Sequence, residues 1–122
     1  MDRAIVVVED EPLLRQYALE TFAEAGLNVV DFADGDAALG YIAANADEVA
    51  AVFTDVRLLG ETDGLRIART VTEAHPNIAV VVTSGRSAER PDGLGRRVVY
   101  IGKPWAAIDV LNAIIDAKQD DD

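Results

Sequence analysis

The sequence predicts an α/β fold in which helices cover both faces of a five-stranded parallel sheet. Short apolar runs rich in β-branched residues recur along the 122 residues, and segments with helical spacing of apolar residues separate them. This alternation favours right-handed crossovers between parallel strands. Acidic, hydroxyl and basic residues stand where the apolar runs end, so one edge of the sheet is also expected to carry the function.

Five apolar runs account for the strands. The first, third and fourth are nearly continuous in apolar residues, which is typical of strands buried on both faces, whereas the second is mixed and suits a sheet edge. We expect the flavodoxin-like, doubly wound order 2-1-3-4-5, with a ligand crevice at the carboxyl ends of the strands. The predicted strands are 4–8, 28–32, 49–55, 78–83 and 98–101.

The first predicted helix begins at Pro12, whose missing N–H costs nothing in the first turn, and extends to Ala25, before Gly26. Others follow the second, third and fifth strands. Segment 86–97 contains Pro and Gly without an apolar stripe, so a fourth helix there is expected to be short or replaced by a loop. The residues expected to face the core are Leu14, Ala18, Thr21 or Phe22, Ala25, Ala38, Tyr41 or Ile42, Leu65, Ala68, Val71, Trp105, Ile108, Leu111 and Ile115.

Composition indicates one domain, expected over 1–118, followed by an acidic tail at 119–122. The net charge of −11 argues against nucleic-acid binding, which depends on clustered Lys and Arg. The sequence has no apolar run near the roughly 20 residues that a membrane helix needs and no apolar leader, so we expect a soluble, cytoplasmic protein that does not bind membranes. Cysteine is absent, which excludes disulfides, thiolate catalysis and cysteine-based zinc sites.

The third predicted strand ends abruptly at Asp55, which makes this carboxylate the candidate reacting residue. Glu9 and Asp10 follow the first strand, Ser84 ends the fourth, and Lys103 ends the fifth. Because the carboxyl ends of parallel strands meet at one edge, these side chains are expected to converge. Three clustered carboxylates repel one another and require a cation, and an all-oxygen acidic site suits Mg²⁺.

A carboxylate beside Mg²⁺ can attack phosphorus to give an acyl phosphate, so this edge predicts a phosphoryl-accepting switch rather than an enzyme in the ordinary sense. Lys103 would neutralise the phosphoryl oxygens, and Ser84 would donate a hydrogen bond to them. Three other acids near strand ends are interpreted as helix caps or solvated charges. They are Glu11, Asp34 and Asp36.

The chain resembles the receiver domain of two-component response regulators over nearly its whole length. Each matching segment is short, but the ordered set is specific. The segments are Val7-Val8-Glu9-Asp10-Glu11-Pro12, Val52-Phe53-Thr54-Asp55, Asp63-Gly64, Val82-Thr83-Ser84-Gly85 and Tyr100-Ile101-Gly102-Lys103-Pro104. The resemblance implies that a histidine kinase or histidine phosphotransfer protein phosphorylates Asp55. It also implies a downstream protein partner or a further step in a phosphorelay.

The resemblance further implies roles for the residues around the acceptor. The implied magnesium ligands are Glu9, Asp10, Asp55 and the backbone carbonyl of Arg57, and Lys103 is implied to pair with the phosphoryl oxygens.

Two further matches concern the conformational switch of the family. Ser84 matches the switch hydroxyl, with Thr83 as the adjacent alternative, and Tyr100 matches the switch aromatic. In this picture the phosphoryl group draws the hydroxyl inward and the aromatic ring turns into the vacated space, which selects between two packings.

The chain departs from the family pattern in four places. The acidic pair begins with Glu9 rather than Asp, and the loop 57–64 lacks Pro and is one residue longer. Segment 86–97 is unusual in a region that commonly carries dimerisation and output, which leaves a homodimer open. Arg57 and Arg86 stand where family members control how fast water removes the phosphoryl group, so we hypothesise that they prolong the signal.

Other assignments remain open from the sequence. A receiver fragment of a hybrid kinase would carry the same motifs. A haloacid-dehalogenase-type phosphatase also uses an Asp nucleophile, but it expects a second Asp where Arg57 stands. A flavodoxin-like FMN binder needs a phosphate-cradling first loop, whereas the acids of 9–12 would repel a phosphate.

Overall fold

A computed structural model describes residues 3–58, 62–84, 98–102, 105–106 and 109–114. Five strands and three α-helices lie in this part of the chain, together with a 3-10 turn at Ala46–Glu48 and a helical segment at 109–114. The strands are β1 (Ala4–Val8), β2 (Asn28–Phe32), β3 (Val49–Asp55), β4 (Ala79–Ser84) and β5 (Val98–Gly102). The helices are α1 (Pro12–Glu24), α2 (Gly35–Ala44) and α3 (Gly64–Ala74). Among the described residues, none of the helices has the length and apolarity needed to span a bilayer.

All five strands are parallel and lie in the order β2-β1-β3-β4-β5, which confirms the predicted fold class. β1, β3 and β4 are central and almost fully buried, while the edge strands β2 and β5 are partly exposed. In this strand order the winding reverses between β1 and β3, so the carboxyl ends of these two strands flank the crevice. The segment 86–97, where a short or missing fourth helix was predicted, and the tail 119–122 lie outside the described residues.

The side chains of the central strands contribute to two hydrophobic cores, one on each face of the sheet. Val6 and Val52 contribute to the core that α2 and α3 cover. Their neighbours Val7 and Phe53 contribute to the core covered by α1 and the segment 109–114. This alternation follows from the two-residue period of a strand, and it confirms that helices lie on both faces.

Most of the predicted inward face of α1 is buried, but its two ends are not. Leu14 is only partly buried and Ala25 is exposed. Ala25 is the C-cap of α1, and Gly26 follows with φ +83°, a left-handed conformation that turns the chain away from the helix axis. Ala25 therefore no longer follows the helical stripe.

The inward faces of the last two helical segments differ from the prediction. In α3, Ile67 is fully buried although the prediction named Leu65, which is partly buried. In the segment 109–114 the predicted residue Leu111 is partly buried and borders the core, and Ile108 and Ile115 lie outside the described residues. The buried residues of this segment are Val110, Ala113 and Ile114.

Trp105 packs between α1 and the sheet, as the sequence suggested. Its ring stands edge-on to Phe53 with 5.3 Å between centroids and lies at a tilt to Tyr17 at 5.1 Å. These contacts join the chain after β5 to the core under α1.

Candidate functional site

The carboxyl ends of β1 and β3 bring together Glu9, Asp10 and Asp55. One carboxylate oxygen from each residue lies within 4.8 Å of the other two. Glu9 and Asp55 are only 6% and 8% exposed, and Asp10 is partly buried. Charges of one sign at this spacing, away from bulk water, are unfavourable unless a cation lies among them. The cluster is therefore a candidate cation site.

The donor set of this cluster fits a hard divalent cation. It contains only oxygen, which suits Mg²⁺ or Ca²⁺ better than the softer transition metals. The predicted fourth ligand, the backbone carbonyl of Arg57, lies two residues beyond Asp55. The Arg57 N–H donates a hydrogen bond of 3.2 Å to Asp55 Oδ1. The main chain at Arg57 therefore lies beside the Asp55 carboxylate.

The backbone just after Asp55 is hydrogen-bonded both to β4 and to the start of α3. The Val56 N–H donates to the carbonyl of Thr83 in β4 at 2.9 Å, and the Gly64 N–H donates to the carbonyl of Val56 at 2.8 Å. A Cβ on Gly64 would overlap the Asp55 carbonyl oxygen, so this position requires glycine. The Asp63-Gly64 motif is thereby explained, because Asp63 caps α3 while Gly64 allows the helix to begin against the end of β3.

The end of the loop between β3 and α3 also contacts α2. Thr62 is buried, and its hydroxyl donates a hydrogen bond to the carboxylate of Asp36. Gly35 permits this contact, since a Cβ there would lie 3.1 Å from Thr62 Cγ2 and closer still to the Thr62 carbonyl oxygen. Asp36 was interpreted from the sequence as a cap or a solvated charge, and it is an exposed acid in the first turn of α2 that also accepts this hydrogen bond from Thr62.

The other two acids of that class behave as interpreted. The Glu11 side chain accepts hydrogen bonds from the N–H groups of Leu13 and Leu14 and caps α1. Asp34 caps α2 by accepting the N–H of Asp36. Both carboxylates are thus engaged at helix N-termini, where negative charge is favourable.

Both candidate switch hydroxyls are buried at the end of β4. Ser84 is 9% exposed and its Cα pairs with that of Gly102 in β5, whereas Thr83 is 1% exposed and pairs with Asp55 and Ile101. Within the described chain the Thr83 hydroxyl has no hydrogen-bond partner. Gly102 leaves open space on the β5 side of Ser84, because a Cβ there would meet nothing within 4 Å.

Tyr100 lies in the edge strand β5, opposite Val82 in register. It is partly buried and packs against the core on the α2 and α3 side of the sheet. Two predicted residues, Lys103 and Arg86, lie outside the described residues.

Sequence reasoning missed Arg15, which contacts the same edge of the sheet. Its guanidinium donates to the backbone carbonyl of Glu9 at 2.9 Å and forms an ion pair of 3.2 Å with Asp31. The sequence did hold a signal, since Arg15 is the only Lys or Arg between residues 4 and 56.

Comparison with known proteins agrees with this fold. The family model of the response regulator receiver domain matches residues 5–115. The chain is 27% identical over 115 residues to the response regulator receiver protein CpdR of Brucella abortus (strain 2308), which covers 92% of this chain and 93% of CpdR. It is 31% identical over 88 residues to the DNA-binding transcriptional regulator NtrC of Salmonella typhimurium, which covers 71% of this chain but 18% of NtrC.

A solved structure shows the same architecture. The crystal structure of a response regulator receiver protein from Sinorhizobium medicae WSM419 matches with a TM-score of 0.84 at 24% identity, and the match covers 99% of this chain and 98% of that one. The family match spans both the sheet and the acidic cluster at its edge. The chain therefore belongs to the family of response regulator receiver domains of two-component signalling.

Proposed function

We propose that this receiver domain is a phosphoacceptor switch, in which Asp55 takes a phosphoryl group from a histidine kinase or a histidine phosphotransfer protein in a Mg²⁺-dependent reaction. The observation that carries the proposal is the cluster of Glu9, Asp10 and Asp55, whose oxygens lie within 4.8 Å of one another. This cluster would supply both the acceptor and the cation ligands at one edge of the sheet.

The residues of the chain would bind the cation and orient the acceptor. Glu9, Asp10, Asp55 and the Arg57 carbonyl would hold Mg²⁺, which when bound supplies positive charge beside an anionic phosphoryl group. The hydrogen bond from the Arg57 N–H to Asp55 Oδ1 restrains the plane of the acceptor carboxylate. An Asp55 oxygen then bonds to phosphorus while the P–N bond to the donor histidine breaks, and its electron pair stays on the imidazole nitrogen.

The response to phosphorylation would involve the neighbouring strand ends. Lys103 would pair with phosphoryl oxygens, and Ser84 would donate its hydroxyl to them. Ser84 and Tyr100 lie on adjacent strands, and Tyr100 is partly buried in the edge strand β5, where a change in its packing would reach the surface. Such a change would alter the surface at the β5 edge that a downstream partner contacts.

Two competing functions fit the described residues less well. A haloacid-dehalogenase-type phosphatase needs a second acid two residues after the nucleophile, and here Arg57 offers only a main-chain N–H to Asp55. An FMN binder of this fold needs free N–H groups at the start of α1, and the Glu11 carboxylate already accepts hydrogen bonds from Leu13 and Leu14.

The location, partners and output of the receiver belong to the same proposal. We place the receiver at 1–118 in the cytoplasm, where it contacts proteins rather than nucleic acids or membranes, in keeping with the net charge of −11. Its output would be a change in protein contacts or transfer of the phosphoryl group along a relay. Self-catalysed phosphorylation and loss of phosphate would be its only chemistry.

Acetyl phosphate with Mg²⁺, followed by intact mass measurement, tests this function. The parent protein should gain one phosphoryl group, and the gain should disappear with EDTA or in Asp55→Asn. Asp47→Asn is the matched control, because Asp47 is an exposed acid in the 3-10 turn before β3. It should be phosphorylated like the parent.

Other outcomes of that experiment contradict the proposal. Continuous release of phosphate over many turnovers would indicate a phosphatase. Absence of any mass gain with Mg²⁺, or a gain retained in Asp55→Asn, would exclude Asp55 as the acceptor.

A further inference from the structure

Arg15, in the second turn of α1, joins two parts of the chain beside the acidic cluster. Its Nη1 donates to the Glu9 carbonyl oxygen at 2.9 Å, and its Nε lies 3.2 Å from Asp31 Oδ2 in β2. The Arg15 side chain is 24% exposed and that of Asp31 is 39% exposed. An ion pair this accessible contributes little to stability on its own, so its geometry is the more informative feature.

The backbone of Glu9 is held by two adjacent residues of the edge strand β2. The Glu9 N–H donates to the carbonyl of Phe32 at 3.0 Å, and the Glu9 carbonyl accepts from Arg15, which Asp31 anchors. The Glu9 carboxylate in turn accepts the Glu11 N–H at 3.1 Å. The main-chain N–H and C=O of Glu9 are therefore both hydrogen-bonded, the N–H to β2 and the C=O to a side chain of α1.

We infer that Arg15 is a positioning residue for the divalent-cation site, because it fixes the peptide from which Glu9 and Asp10 reach toward Asp55. This inference rests on the proposed function and adds a residue that does not itself touch the cation. Arginine suits the task since its planar fork serves a carbonyl and a carboxylate together, whereas a lysine ammonium is a single point charge.

Mutual repulsion explains why such a restraint is needed. The carboxylates of Glu9, Asp10 and Asp55 carry like charge within 4.8 Å, so holding them together costs free energy that a bound cation offsets. If the turn after β1 were free to relieve this repulsion, binding would have to restore the arrangement at a cost in affinity. A guanidinium on the Glu9 carbonyl keeps the turn in place beforehand, much as outer-shell partners orient metal ligands in other proteins.

The affinity for Mg²⁺, measured by calorimetry on the full chain, tests this role. Arg15→Gln should weaken Mg²⁺ binding about tenfold, the lower end of the effect of removing a partner of a metal ligand. Arg15→Lys should recover only part of the loss. Gln16→Ala is the matched control, because Gln16 is the neighbouring residue of α1 and bonds only the exposed Glu20 at 3.0 Å in the described structure; its Mg²⁺ affinity should equal that of the parent.

A second measurement separates positioning from a general loss of structure. The phosphorylation rate of Arg15→Gln with acetyl phosphate should reach the parent value at saturating Mg²⁺, with the half-saturating concentration raised by the same factor as the dissociation constant. A rate that stays low at saturating Mg²⁺ would overturn the positioning role, and so would full recovery of affinity in Arg15→Lys.

The remaining outcomes distinguish this inference from the function on which it rests. If the parent binds no Mg²⁺, the proposed function fails. If the parent binds Mg²⁺ and Arg15→Gln binds it equally well, only the role of Arg15 fails. Should Arg15→Gln not fold, Asp31→Asn removes the anchor and leaves Arg15 in place; it should weaken Mg²⁺ binding by a smaller factor, and unchanged affinity would overturn the inference.

Discussion

Gly64, the first residue of α3, has no room for a side chain. A Cβ there would overlap the Asp55 carbonyl oxygen and lie 2.7 Å from the Asp55 carbonyl carbon and 2.8 Å from Val56 Cα. Carbon atoms pack at about 3.5–4.0 Å, so Gly64→Ala requires a displacement of about 1 Å. Because β3 pairs with both β1 and β4, the displacement should fall on α3 and the loop that precedes it rather than on Asp55.

Gly64→Ala should lower the free energy of unfolding, because the added methyl group overpacks the site. An extra methyl group in a constrained site costs about 1–3 kcal/mol. At about 4 °C per kcal/mol for a domain of this size, the melting temperature should fall by about 4–12 °C. Moving the loop between β3 and α3 by about 1 Å also disturbs the proposed site, where such shifts cost up to about 100-fold in rate, so phosphorylation should slow at least about tenfold.

Gly40→Ala provides the matched control for Gly64→Ala. Gly40 lies on the exposed side of α2, and a Cβ there would meet nothing within 4 Å. Helix propensity predicts a gain of up to about 1 kcal/mol, with normal phosphorylation. Thermal denaturation and the time course of mass gain with acetyl phosphate measure both effects. The reasoning is refuted if Gly64→Ala melts at or above the parent temperature and is phosphorylated at the parent rate.

Three further predictions concern residues near Asp55 and the loop that follows it. Thr83→Val should raise the free energy of unfolding by about 1 kcal/mol in urea titrations, because the buried hydroxyl lacks a partner in the described chain, and a loss of stability would show that the hydroxyl is paired. Thr62→Val and Asp36→Ala should show a coupling free energy of about 1 kcal/mol in a double-mutant cycle, whereas strictly additive effects would contradict their hydrogen bond. Arg57→Ala should shorten the lifetime of the phosphorylated protein in a radiolabel decay assay, and a lifetime equal to that of the parent would remove the shielding hypothesis.

The strands could be predicted nearly to the residue. β1, β2 and β3 begin and end where their apolar runs do, while β4 is displaced by one residue and β5 extended by one. The reason is physical, because short β-branched runs bounded by polar residues or glycine leave few alternatives to a strand. The buried face of each helix was harder to predict, because more than one set of helically spaced apolar residues could face the sheet. Ile67 fills the core below α3 although Leu65 fitted the pattern equally well.

The acidic cluster could be predicted because topology alone brings strand ends together. Once β1 and β3 are adjacent and parallel, Glu9 and Asp55 must lie at the same edge. The contact of Arg15 with Asp31 and the contact of Thr62 with Asp36 could not be predicted in this way. They depend on how α1 packs on β2 and how the loop between β3 and α3 packs on α2, and no periodicity in the sequence encodes these placements.

The position of the phosphoryl group on the chain tests the central claim most directly. Borohydride reduces an aspartyl phosphate to homoserine, and tandem mass spectrometry of peptides then locates the converted residue. After treatment with acetyl phosphate and Mg²⁺, homoserine should appear at position 55 alone, and it should be absent when Mg²⁺ is chelated. Homoserine at another aspartate, or no conversion at position 55, would contradict the account.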